Sequence, residues 1–151
     1  MTEINGLRLA YRGFVTGLAA GYVWVAAAML GAWLAGSDPT APLHLLGGGG
    51  RDGLLAGIGL VQVGSAAIGM TFAYFFGRFF TVRRTLAVAG LCFGVLAWLV
   101  VAKVVDTRIS QDLSAGLRIG LVAASALYGV MLGAAIPTRA EVLRHRAATT
   151  S

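Results

Sequence analysis

Four stretches of about 20 apolar residues, none with a charge near its centre, constrain this chain more than any other feature. They run over 13–36, 54–76, 85–105 and 117–136. At 1.5 Å per residue, a helix of that length crosses roughly 30 Å of hydrocarbon. Where no water reaches the backbone, each amide must bond within its own segment, so helices are expected. A β-barrel would alternate apolar and polar positions in segments of about ten residues, and these stretches do not alternate. The expected fold is therefore an all-α membrane protein, a four-transmembrane-helix bundle over 13–136. A short segment, 1–12, precedes it and a polar tail, 137–151, follows. Arg8 and Arg12 precede the first stretch as they would a secretory leader. Its apolar run exceeds the roughly 7–15 residues of a leader core, so it is read as a helix.

Composition agrees. The chain is 58% hydrophobic and only 12% charged, with a mean hydropathy of +0.81, whereas a soluble domain carries about 25% charge. The net charge of +6 would suit nucleic acid, but the basic residues flank apolar segments. That placement fits topology signals and membrane lipids with anionic headgroups, with no nucleic acid among the expected partners. Eight of the basic residues fall on one side: Arg8 and Arg12, then Arg78, Arg83 and Arg84, then Arg139, Arg144 and Arg146. Four fall on the other: Arg51, Lys103, Arg108 and Arg118. The bias places both termini in the cytoplasm. The Ala/Gly/Arg-rich usage points to a bacterium, and so to a multi-pass protein of a bacterial inner membrane.

The connections carry further expectations. The one from Gly77 to Arg84 is short and basic, which predicts that helices two and three are antiparallel neighbours. The first outer connection has a helix stop at Asp38-Pro39, a short interfacial turn over 42–46, and four glycines, Gly47 to Gly50, read as a hinge. An internal repeat is also expected. Ile58-Gly59-Leu60-Val61 recurs as Ile119-Gly120-Leu121-Val122, and after a one-residue gap Ser65, Ala66 and Gly69 match Ser125, Ala126 and Gly129. Gly17 and Gly21 echo Gly90 and Gly94. Two tandem helical hairpins would produce these matches, and so would shared Gly/Ala/Leu usage.

Glycines four apart share a helix face and let another helix approach closely. Gly13, Gly17 and Gly21 form one such row, Gly90 and Gly94 a second, and Gly129 and Gly133 a third. Cys92 lies in an apolar run and is read as a small core residue. Tyr11, Tyr74, Phe79 and Phe80 suit an aromatic belt. Trp24 and Trp98 sit deeper, as packing or as contacts to a partner, carotenoid or quinone.

Chemistry is sparse. No ionisable residue lies at mid-depth, where proton and ion pathways place them. The deepest polar side chains are Gln62, Ser65 and Ser125, candidates for a polar site or for hydrogen bonds across helices. His44, Lys103, Asp106 and Arg108 could shape an outer docking site, with Lys103 and Asp106 three apart on one face. Arg78, Arg83 and Arg84 form an inner basic cluster for a cytoplasmic partner or anionic lipid. His44 and His145 lie on opposite sides and cannot share a metal. No motif marks a catalytic residue, a metal site or a cofactor, although apolar grooves hold lipid, quinone or pigment without leaving one.

The order GFVTGLAAGYVWVAAAMLGAWLAG, then DPTAPLHLLGG, resembles that of small four-helix bacterial membrane proteins of unknown function. The resemblance implies architecture and carries over no site residue. The leading expectation is a non-catalytic membrane subunit or scaffold of a larger complex, energy-transducing ones included, packed against other subunits or itself. The alternatives are a small homo-oligomeric transporter or channel lined by Gln62, Ser65 and Ser125, and a membrane enzyme acting on lipid or isoprenoid.

Overall fold

A computed structural model describes residues 6–48, 51–77, 79–105 and 114–138. The described residues form five helices: α1 (Gly6–Leu34), α2 (Ala41–Gly47), α3 (Arg51–Phe76), α4 (Arg83–Val105) and α5 (Ala115–Ala135). All but α2 are long and apolar enough to cross a membrane, and the chain is a multi-pass, all-helical bundle. Asp106, Arg108, Arg78, His145 and the tail from Arg139 lie outside the described residues, so the Lys103–Asp106 pairing does too.

Local chemistry sets the helix ends. At the end of α1, Gly36 adopts φ 72°. Its amide donates to the Trp33 carbonyl and the Ser37 amide to the Ala32 carbonyl, a left-handed glycine cap that satisfies two terminal carbonyls. Asp38 Oδ1 then accepts from the Thr40 hydroxyl at 2.6 Å and the Thr40 amide at 2.7 Å. The Thr40 hydroxyl, and after it the amide, hold the Asp38 carboxyl below the usual carboxylate range. This turn launches α2, where a bare interfacial turn was expected. Gly48 closes α2 at φ 87°. Ser114 accepts from the Leu117 amide at the start of α5. At its far end Arg83 donates through Nε and Nη2 to the Ala134 carbonyl, at 3.1 and 2.9 Å. A cation there offsets the negative end of the helix dipole.

The long helices pair as two hairpins. In the first, Gly13 lies against Gly69 and Ala73, Gly17 against Ser65 and Ala66, and Gly21 against Ser65 and Gln62. In the second, Gly90 lies against Gly129 and Gly133, and Gly94 against Ser125 and Gly129. The small residues bring backbone to backbone, and dispersion then replaces the lipid contacts given up. The two seams share one plan: Ser65, Gly69 and Ala73 correspond to Ser125, Gly129 and Gly133. By their partners, Gly13 and Gly17 are the mates of Gly90 and Gly94, one turn earlier than the sequence echo of Gly17 and Gly21 suggested.

The hairpins join mainly through α1 and α5, which close on each other where Gly31 meets Gly120. α2 packs on α3, with Leu43 against Gly57 and Gly47 against Gly53. Helices α3 and α4, expected to be neighbours, barely touch. Their short connection sets their order but not their contact, because a ring cluster stands between them. Phe72 stacks on Phe76 at 4.9 Å, and Phe93 of α4 meets both, at 5.3 and 5.6 Å. In the register that matches Ser65 with Ser125, the position of α3 corresponding to Gly120 of α5 is Leu60, a bulky side chain where the α1–α5 seam has glycine, and the second seam stays open. Cys92 faces outward and is exposed, not part of the core.

Candidate functional site

The unclosed seam leaves a partly open cleft of about 300 Å³. One wall is α3, through Leu60, Val61, Gly64, Ser65 and Ile68; the other is α4, through Gly94, Ala97 and Trp98. Trp24 of α1 with Ser125 and Tyr128 of α5 line its back, and Leu46 of α2 its rim. The phenylalanine cluster fills the same gap between α3 and α4 toward the N-terminal end of the bundle, where Phe80 stacks on Phe76 at 6.0 Å. Trp24 and Trp98 stand 6.3 Å apart, ring centre to ring centre.

The polar groups here bond to one another. Trp24 Nε1 donates to Ser125 Oγ at 2.9 Å, and Ser125 Oγ donates to the Leu121 carbonyl at 2.9 Å. Tyr128 Oη donates to the Ser65 carbonyl at 2.8 Å. These bonds tie α1 to α5 and α3 to α5 in a medium where an unmade bond is costly. They engage the Trp24, Ser125 and Tyr128 donors and leave the cleft with a mainly apolar inner surface. With about 30 Å³ for each water-sized group, the space holds about ten heavy atoms of a hydrocarbon chain.

The candidate polar residues do not act together. Ser65 and Ser125 both line the cleft. Gln62 is turned toward α1, near Gly21. Its Nε2 and Oε1 are buried and have no hydrogen-bond partner. An unpaired buried amide costs about 1–3 kcal/mol, and an apolar replacement of similar size removes that cost. Gln62→Leu should therefore raise the protein's stability in detergent by about 1 kcal/mol. A loss of stability would show that the amide is bonded through water.

Of the docking candidates, His44 and Lys103 fall among the described residues, on different helices. His44 sits half-buried on α2, with Nδ1 buried and unpartnered. Lys103 is exposed near the end of α4. In the inner basic cluster Arg83 caps α5 and Arg84 is exposed. Among the described residues no three His, Cys, Asp or Glu side chains gather as metal ligands. The glycine rows all face other helices of the same chain.

Sequence reasoning paired Trp24 with Trp98 and grouped Ser65 and Ser125 with Gln62, but missed Tyr128 and Gly64. Tyr128 is one helical turn from Ser125, but its partner lies 63 positions away, a spacing that no local pattern signals. No protein-family model, curated protein or solved structure matches the chain.

Proposed function

We propose that this chain is a binding protein of the membrane, whose working part is the cleft between α3 and α4 and whose ligand is the hydrocarbon or isoprenoid chain of a membrane-soluble molecule. The carrying observation is that α3 and α4 stand apart around a mainly apolar space in which the Trp24, Ser125 and Tyr128 side chains are already hydrogen-bonded to the protein. Pockets of this kind hold a ligand by area and shape. The position of the cleft at a helix–helix seam lets a chain enter from the surrounding lipid without crossing water. The bacterial inner membrane and cytoplasmic termini remain part of the proposal, on residue usage and the distribution of arginines.

This reading departs from a scaffold that docks through its glycine faces, because those faces are occupied within the chain. A subunit role is compatible with it, provided the contacts to the complex come from other surfaces. A pore lined by Gln62, Ser65 and Ser125 is disfavoured, since the three do not share a cavity.

The test is to purify the protein in a mild detergent, exchange the detergent exhaustively, and extract what remains for mass spectrometry. The expected result is one class of long-chain molecule retained at close to one per protein. Retention of mixed bulk lipid in no fixed proportion would overturn the reading.

A further inference from the structure

We infer that a second site, independent of the cleft, binds the headgroup of an anionic phospholipid at the N-terminal end of the bundle. An open groove of about 670 Å³ runs along the start of α1 and is lined by Arg8, Tyr11, Arg12 and Phe14, with Met70 of α3 on its far side. Arg8 and Arg12 are one helical turn apart, so their side chains share a face. Both are exposed.

Three observations specify an anion with an apolar tail. First, neither arginine has a hydrogen bond or ion pair within the described residues, and the two acids among those residues, Asp38 and Asp52, sit at the opposite end of α1 and α3. Second, the arginines lie at the positive end of the α1 dipole, and the first turn of α1 contains no acidic residue. Cations there are unfavourable for the helix itself, and the summed field favours an anion. Third, apolar side chains line the groove beside the arginines, Leu7 at its start and Phe14 and Met70 further along. Phe14 lies about 9 Å further along the helix than Arg8 at 1.5 Å per residue, and Met70 stands next to Gly69, which packs on Gly13 and Gly17.

The level is also right. The 29 residues of α1 span about 43 Å, more than the roughly 30 Å of hydrocarbon, so the first turns extend into the headgroup region. A phosphate held between Arg8 and Arg12 would send an acyl chain down over Phe14 and Met70. A free phosphate would use only the upper half of the groove.

The full-length protein in detergent would be titrated with short-chain phosphatidylglycerol, short-chain phosphatidylcholine and inorganic phosphate, and bound lipid read by native mass spectrometry. Phosphatidylglycerol should bind preferentially. Arg8→Gln with Arg12→Gln should weaken it about 30-fold, at about fivefold per arginine, and leave phosphatidylcholine unchanged. Arg8→Lys with Arg12→Lys should keep most of the preference. Arg84→Gln, a charge removed elsewhere at the same end, should leave it intact. Equal binding of the two lipids, no effect of the double glutamine variant, an equal effect of Arg84→Gln, or displacement by equimolar inorganic phosphate would each overturn the site. Retention of the long-chain molecule in the cleft is read separately, so either site can fail alone.

Discussion

Replacing Gly129 by leucine should separate α4 from α5 and unfold the second hairpin. A Cβ at Gly129 would run into the Gly90 carbonyl and the Leu91 backbone. No rotamer relieves a clash with backbone, so the helices themselves must part. Mild overpacking costs about 1–3 kcal/mol; displacing a whole helix should cost at least about 3 kcal/mol, a large share of a typical stability of about 5–15 kcal/mol. Gly17→Leu should act similarly on the first hairpin, where an added Cβ meets the Ser65 carbonyl. Gly59→Leu is the control: it is exposed, and a Cβ there meets nothing within 4 Å. Thermal unfolding in detergent, followed by tryptophan fluorescence, compares the three. A Gly129 variant as stable as the Gly59 variant would mean that the α4–α5 seam is not as close as described.

The second large effect is expected at Gly64, which lines the cleft and where an added Cβ also meets nothing within 4 Å. Gly64→Leu should place four side-chain carbons in a cleft with room for about ten heavy atoms, narrowing it without moving a helix. Leucine favours a helix interior over glycine by up to about 1 kcal/mol, so the ligand-free variant should be as stable as the parent or more so. Retention of the long-chain ligand should fall at least tenfold, about 1.4 kcal/mol of binding free energy. The comparison must use stripped protein, because a ligand that binds only the folded state adds its own stabilisation. Undiminished retention would place the ligand elsewhere. A large loss of stability would mean that the space beside Gly64 is occupied by the protein.

The glycine rows were legible because a spacing of four is itself a statement about one helix face. Which helix each row meets was not, and the repeat was misaligned by one turn. Gly13, Gly17 and Gly21 are equivalent as letters, and only the carbonyls opposite them tell which pair matches Gly90 and Gly94. Gln62 looked like the centre of a polar site because a polar residue in an apolar stretch stands out. Its direction around the helix is a matter of packing: its amide lies against Gly21 of α1, as the Ser65 side chain does, and it does not line the cleft.

The chain by itself determined four long helices, because the length of each apolar run and the need to bond every amide inside lipid leave no other solution. It also determined that the helices would pack closely, because glycine faces permit it. Which seams close and which stays open was decided only in three dimensions. A seam depends on pairs of residues far apart in the chain: Gly31 with Gly120 lets α1 and α5 meet, while the rings of Phe72, Phe76 and Phe93 stand between α3 and α4. The cleft is the space those rings hold open.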